Sequence, residues 1–573
     1  MRARVRAIAG LILVLAALPV RADPLPSVAP DRMAAFARHA MVVAANPHAS
    51  EAGRRILRAG GNAVDAAIAV QLVLTLVEPQ SSGIGGGAFL LHWSAADRTV
   101  AAYDGRETAP AAATQDQFLG PDGKPLRFMD AVVGGLSVGV PGVVRMMDLA
   151  HRRHGRLPWA DLFAPAIALA EHGFAMSPRL HALLARETAL RDDPAALAHF
   201  HQADGTPRPV GATVANPALA ETLRTIARDG AEAFYAGPIA EDIVRAVAGA
   251  RRSGRMTLAD LAGYRAVERA PVCTPYRTWR VCGMGPPSSG GIAIAQSLAM
   301  LERFDLRALG AASAPAWHLV LEASRLAFAD RDRYVADADA VPVPVAGLLD
   351  RRYLAGRGAA IDPGRSIGIA PAGDPPGRRA DLGADHSLEV PATSHQVVVD
   401  GDGNVASMTM TIEAPFGARL MVRGFLLNNE LTDFSFRPED DGRPVANRVA
   451  GGKRPRSSMA PTLVFDRDGR FALAIGSPGG SRIIGFVLKT LVGVLDWQLD
   501  VQQAINLPNV VNRNGPTEIE PGPGSDALAR ALRALGHEVR VAPIESGLHG
   551  IQAVAGGWVG GADPRREGIA LGD

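Results

Sequence analysis

The stretch that most constrains this chain begins at Pro391 and reads PATSHQVVVDGDGNVASMTMTIEAPFG. A short strand, Gln396 to Val399, a turn built from Asp400, Gly401, Asp402, Gly403 and Asn404, and a second strand, Val405 to Thr411, make a β-hairpin. Thr393 sits at its mouth. Immediately upstream, Pro371 to Ala392 is crowded with Pro, Gly and charge, the composition of an exposed linker where a chain is open to cutting. A Thr at the start of a core strand, just behind such a linker, reads as a residue meant to become an N-terminus. A Thr hydroxyl is a poor nucleophile unless a base takes its proton, and an N-terminal Thr carries that base as its own α-amine. The amine's ordinary pKa of about 7.7 to 8.0 leaves a neutral fraction near neutral pH. The same residues also fit a plain strand Thr beside a loop.

Met1 to Ala22 reads as a secretory signal: Arg2, Arg4 and Arg6, then the apolar run Ala7 to Val20, then Val20-Arg21-Ala22 as a cleavage site before Asp23. No adjacent Arg pair supports a twin-arginine route. The run is shorter than the ~18 to 20 residues that span a bilayer, so a removed signal is expected, with no membrane anchor afterwards and a periplasmic or secreted location. Its removal takes four arginines and changes the formal charge from +2 to −2, which leaves no basic footprint for nucleic acid. The remaining 551 residues can bury one large core or two.

Cys273 and Cys282 flank TPYRTWRV, a hairpin turning at Arg277-Thr278. That register pairs Tyr276 with Trp279 and Pro275 with Arg280, and it sets Cys273 opposite Cys282 at a non-hydrogen-bonded position, where a disulfide is within reach. Two unpaired thiols remain the alternative. Ala63 to Val77 is nearly all apolar, with Asp65 and Gln71 as exceptions, and reads as a buried core helix ended by Glu78-Pro79. The loop SSGIGGG after it precedes a strand, the reverse of a dinucleotide-binding order. Asp330, Asp332, Asp337 and Asp339 lack the glycine and closing Glu of a calcium loop and read as a solvated, capped turn.

Beyond the hairpin, GFLLNNELTDFSF reads as a strand ending in Asn428, Asn429, Glu430 and Asp433. Ser457-Ser458 lead another strand, and Gly479-Gly480 open a helix, where free backbone N–H groups can form an oxyanion hole or simply a Gly-rich turn. HExxH, Walker A and Cys/His metal spacings are absent, and His395 reads as a packed residue rather than a base.

Seven colinear segments, from NPHASEAGRRILRAGGNAVDAAIAVQLVLTLVEPQSSGIGGGAFLL through DGRETAPAAAT, PPSSGG, TSHQVVVDGDGNVASMT, LLNNELTDF and KRPRSSMAPT to GSPGGSRII, resemble the γ-glutamyltransferases over roughly Ala40 to the C-terminus. The resemblance implies an N-terminal-nucleophile hydrolase with a four-layer αββα sandwich (α+β class), needing no metal or organic cofactor. It implies self-cleavage between Ala392 and Thr393 into a heavy chain, residues 23–392, and a light chain, residues 393–573, that stay folded together. It further implies Thr393 as nucleophile, Thr411 as the second Thr bonded to it, and Gly479 and Gly480 as oxyanion donors. Arg106, Ser457 and Ser458 match the clamp on a γ-glutamyl α-carboxylate, and Glu430 and Asp433 the acceptors of its α-ammonium. The partners implied are a donor such as glutathione and an amino-acid or peptide acceptor.

Two departures stand out. Glu413 and Glu430 occupy positions where many bacterial members carry Asn and Gln, adding negative charge around the ammonium site. The stretch from Arg437 to Gly452, a lid region in the family, is short and lacks Tyr, which implies a more open pocket. An acylase of the cephalosporin type on the same fold and a non-catalytic extracytoplasmic binding protein are the alternatives.

Overall fold

The computed structural model describes residues 32–573, so the signal expected over Met1–Ala22 lies outside the described residues. Ser394–Val399 pairs antiparallel with Val405–Thr411, from Ser394↔Met410 to Val399↔Val405. Both strands are buried along their whole length, because each face of the pleat meets a different core. Val398, Ala406 and Met408 pack with the helix Ala63–Val77, whereas Val397, Val399 and Val405 face the opposite core.

The hairpin lies at the centre of a seven-stranded sheet ordered Ile569–Gly572, Met41–Ala44, Ser394–Val399, Val405–Thr411, Gly87–Ser94, Thr99–Gly105, Val267–Arg269. A second seven-stranded sheet runs Ala35–Ala37, Gly557–Ala562, His549–Val554, Phe471–Gly476, Thr462–Phe465, Trp279–Gly283, Val272–Tyr276. Val43, Phe89, Leu91 and Val397 of the first sheet pack against Leu463, Ala474, Ile475 and Ile551 of the second. Pro47–Arg58 and Ala63–Val77 cover the outer face of the first sheet, and Gly290–Leu301 and Ile483–Leu495 that of the second. This is the four-layer αββα sandwich expected from the sequence.

The helix Ala63–Val77 has the expected bounds and is wholly buried. Asp65, one of its three polar residues, caps it by accepting from Asn62 N at 3.1 Å and also from Leu157 N at 3.0 Å. Cys273 and Cys282 form a disulfide with Cα atoms 4.0 Å apart, in the register set out above. No helix among the described residues is long and apolar enough to cross a membrane.

Two expectations are corrected. GFLLNNELTDF is not one strand: only Phe425–Leu426 pairs, and Glu430–Asp433 is a 3₁₀ turn. Asn428 takes the backbone elsewhere, since its Oδ1 accepts from Gly139 N at 2.9 Å and Glu430 N at 3.0 Å, and its Nδ2 donates to Gly85 O at 2.8 Å. Asp330 and Asp337 are buried rather than solvated. Arg357 pairs with Asp330 at 3.0 Å, and Asp337 accepts from Arg454 N at 2.8 Å.

The segments on either side of the Ala392-Thr393 bond interleave. Ser394–Val399 lies between Met41–Ala44 and Val405–Thr411, the latter beside Gly87–Ser94, and Thr462–Phe465 lies beside Trp279–Gly283. Cutting that bond leaves every one of these ladders intact. A sample cut there is therefore expected to elute from gel filtration as a single species and to separate into two chains only in denaturant; separation under native conditions would contradict the interleaving.

Candidate active site

Thr393 immediately precedes the central strand, and its Oγ1 lies 3.1 Å from Thr411 Oγ1, which also accepts from Glu413 N at 2.8 Å. The Thr393 N–H donates to Ser81 O at 3.2 Å, and its carbonyl accepts from Arg566 Nη1 at 3.0 Å. These contacts hold a β-branched residue at φ 81°, a left-handed conformation that costs roughly 1–3 kcal/mol. The strain adjoins the Ala392-Thr393 bond.

The sequence places that bond at the end of an exposed linker; the structure buries it, with Ala392 2% and Thr393 5% exposed. The cause is Glu389, whose carboxylate reaches inward to Arg331 and to Ser458 Oγ, the latter at 2.5 Å. The folded chain thus shields this bond from an external protease.

One cavity is lined by Arg106, Thr393, Thr411, Glu413, Glu430, Asp433, Ser457, Ser458 and Gly480, together with Glu389 and Val390. It brings together every expected catalytic and substrate-binding residue except Gly479, which is the chain neighbour of Gly480. Its free space is about 20 Å³, room for about one water. Gly479 and Gly480 have φ 139° and 57° and lead through the 3₁₀ turn Gly480–Arg482 into the helix Ile483–Leu495. A Cβ on Gly480 would come within 2.8 Å of Glu389 O and 3.0 Å of Val390 O, so the segment before the scissile bond lies directly across the expected oxyanion donor.

The Gly-rich loop after the helix Ala63–Val77 also works by close approach. A Cβ on Gly86 would meet Thr411 O at 2.0 Å, and one on Gly87 would meet the Glu107 carboxylate at 2.1 Å. The PPSSGG loop supports Ser457, whose carbonyl accepts from Ser289 N at 2.7 Å and Ser289 Oγ at 2.8 Å. His395 is a packed residue, its Nδ1 2.8 Å from Thr409 Oγ1; burial first, then His549, pushes its pKa well below the usual value.

Arg106 is buried, and its guanidinium bonds Glu430, Asp433 Oδ2 at 2.5 Å, Pro455 O at 3.1 Å and Arg456 O at 2.8 Å. The cationic and anionic walls expected to grip a substrate are thus closed on each other in the uncut chain. Glu389, Arg331 and Arg456 were not singled out from sequence. The position of Glu389 four residues before Thr393, and of Arg456 beside the Ser457-Ser458 pair, are the signals that point to them. Arg566 and Ser81, remote in sequence, have no such signal.

Residues 49–573 match the family described as Gamma-glutamyltranspeptidase. The chain belongs to this γ-glutamyltranspeptidase family. It is 38% identical to the "Glutathione hydrolase proenzyme" of Escherichia coli (strain K12), covering 92% of this chain and 91% of that one. It is 37% identical to the "Acylase ACY 1 proenzyme" of Pseudomonas sp. (strain V22), covering 93% of each. Among solved structures, the cephalosporin acylase from Bacillus halodurans superposes with a TM-score of 0.83 at 27% identity, over 97% of this chain and 99% of that one.

In this member of the family the carboxylates around Arg106 are pushed toward the neutral form. Burial, then Glu430, raises Glu413 to about 8, and burial first, then Glu430, raises Glu107 well above the usual range. Asp433 is also raised well above its usual value, by burial first and against the pull of Arg106. Between about pH 4.5 and 8 the folded chain therefore holds a proton on Glu413 that the unfolded chain has released. Stability falls as pH rises through that window and levels off above it. In a Thr393→Ala background, which keeps the chain uncut, Glu413→Gln is expected to flatten this decline. Denaturant titrations should show it more stable than its parent at pH 8 by about 1 kcal/mol or more, and little changed at pH 4.5.

Proposed function

We propose that this chain is the precursor of a γ-glutamyl hydrolase/transferase that acts outside the cytoplasm on glutathione and related γ-glutamyl amides. The observation that carries this reading is Thr393 itself: strained, buried, bonded to Thr411, and facing a cavity whose walls carry one cation and a set of carboxylates. In self-cleavage Thr393 Oγ attacks the Ala392 carbonyl carbon, the C–N bond breaks, and the Thr393 nitrogen takes the proton. Water then hydrolyses the ester, leaving the Ala392 carboxylate and a Thr393 with a free α-amine. Relief of the left-handed conformation favours the cut.

The new α-amine is the base that the hydroxyl lacked. A γ-glutamyl head group carries one positive and one negative charge, so it can replace the internal pairing of Arg106 with Glu430 and Asp433 charge for charge. Its α-carboxylate goes to Arg106, Ser457 and Ser458, for which the guanidinium fork is suited, and its α-ammonium to Asp433, Glu430 and Glu413. The γ-carbonyl then faces Thr393 Oγ, with the Gly479 and Gly480 N–H groups at the developing oxyanion. Attack expels the amine and leaves a γ-glutamyl ester on Thr393, which water or the amine of an amino acid or peptide resolves.

The similarity to relatives named acylases supports a second reading, in which the acyl group lacks an α-amine. Asp433 separates the two. Asp433→Asn is expected to lower kcat/KM for γ-glutamyl-p-nitroanilide by roughly 10²-fold or more, the scale for removing one partner of a buried charge pair; glutaryl-p-nitroanilide turnover should change far less. Unchanged γ-glutamyl turnover would remove Asp433 from the ammonium site.

The cut is tested by a denaturing gel with N-terminal sequencing of each band. The wild type is expected to give one fragment beginning at Thr393, and Thr393→Ala a single uncut chain. A wild type that stays whole would leave Thr393 without its base and overturn the enzymatic reading.

A further inference from the structure

Glu389 does more than bury the scissile bond. Its carboxylate is 4% exposed and lies among Arg331 Nη2, Ser458 Oγ at 2.5 Å and Arg456 Nη2 at 3.8 Å. Arg331 also donates to Ser458 Oγ at 2.6 Å, to Ser289 Oγ at 2.9 Å and to Asp332 Oδ1 at 2.6 Å. Arg456 pairs with Asp385 Oδ2 at 2.9 Å and lies 3.7 Å from Asp332. Two guanidiniums therefore face three carboxylates, and one of the three belongs to the segment that a cut at Ala392 would free. Burial opposes the charge on Glu389, but Arg331 and then Arg456 outweigh it and hold the group below its ordinary range.

That segment cannot stay where it is in a working enzyme. Glu389 O and Val390 O lie against Gly480, and the cavity they help to close has room for about one water. Once the segment withdraws, Arg331 and Arg456 keep only Asp332 and Asp385, and their faces toward Ser458 lose a buried charge-assisted partner. A buried cation so uncovered is a strong attractor for another carboxylate.

We propose that Arg331, Arg456 and Ser458 form a carboxylate-binding subsite that Glu389 fills in the uncut chain and a carboxylate of the γ-glutamyl donor fills after the cut. This subsite shares Ser458 with the Arg106 clamp in the same cavity but draws its charge from other guanidiniums, Arg106 being engaged by Glu430 and Asp433. Its use by substrate rests on the self-cleavage proposed above; its existence does not. Two sources of carboxylate share the chemistry: the α-carboxylate of the glutamyl group, or a carboxylate on the leaving side of the scissile amide.

The subsite itself is read in uncut protein, independently of catalysis. Glu389→Ala combined with Thr393→Ala removes the internal carboxylate, and acetate is the probe. Acetate is expected to raise the Tm of this double variant by about 2 °C or more over chloride at equal ionic strength, and to leave Thr393→Ala alone unchanged. The absence of an acetate-specific rise would overturn the subsite, even if the wild type cuts itself and turns over donors.

The substrate arm compares Arg456→Gln with wild type on two donors in the cut enzyme. A loss of kcat/KM of roughly tenfold or more for glutathione, with γ-glutamyl-p-nitroanilide within about twofold, assigns the subsite to the leaving-side carboxylate. An equal loss on both assigns it to the glutamyl α-carboxylate. No loss on either would overturn its use by substrate. A wild type that cleaves neither donor would count against the proposed function alone, because the acetate measurement still decides the subsite.

Discussion

The position of Thr393 depends on a strand hydrogen-bonded along both edges. Ser394–Val399 pairs with Met41–Ala44 on one side and Val405–Thr411 on the other, so the residue just before it has little freedom of direction. Thr411, the last residue of the neighbouring strand, is thereby brought to the Thr393 hydroxyl. The ladders bind chain from both sides of residue 393, and their hydrophobic faces are shared between two cores. Cohesion does not pass through the peptide bond at the pocket. Strain can therefore be concentrated at that bond without weakening the sandwich.

The pocket next to it is dominated by the cost of buried charge. Arg106 is surrounded by Glu107, Glu430 and Asp433, with Glu413 nearby in the same cavity. Such a cluster is tolerable in low dielectric only if the cation is fully used and part of the carboxylate set is neutral. The raised pKa values of Glu413, Glu107 and Asp433 express that condition. A second cluster, Arg331 and Arg456 with Asp332, Asp385 and Glu389, reaches balance differently, by recruiting a carboxylate from the segment before the scissile bond. Both clusters are thus electrostatically closed as long as the chain is whole.

What could be read from sequence was local. The helix Ala63–Val77, the strand Val405–Thr411 and the Cys273–Cys282 hairpin each carry their own pattern of apolar residues, turn and register, and the structure reproduces them residue for residue. The errors fall where a distant partner decides. Asn428 ends its strand because Gly85 and Gly139 offer backbone groups across the fold. Asp330 is buried because Arg357 meets it. The linker before Thr393 has an exposed composition, yet its last residues are drawn inward by Arg331 and Ser458, which lie 58 and 69 positions from Glu389. The resemblance to the γ-glutamyltransferases named the site residues; it gave no sign that Arg106 would be closed on Glu430 and Asp433 before any cut.

Glu413 shows how tightly cleavage and specificity are joined. Its backbone lies at φ 72°, a region that Asn adopts far more readily than Glu. This chain thus accepts both a strained backbone and an additional buried carboxylate at one position. The side chain answers to two neighbours: it accepts from Asn429 Nδ2, which belongs to the wall behind the pocket, and from Val390 N at 3.4 Å, which belongs to the segment before the Ala392-Thr393 bond. The first contact fixes the carboxylate where a substrate ammonium would arrive; the second occupies it until the cut. A neutral Asn could serve the first purpose with less strain, but it would not present a full charge to an ammonium once Val390 has gone. On the proposed cut, the residue that departs from the resembled pattern is one that the uncut chain screens and the cut chain would expose.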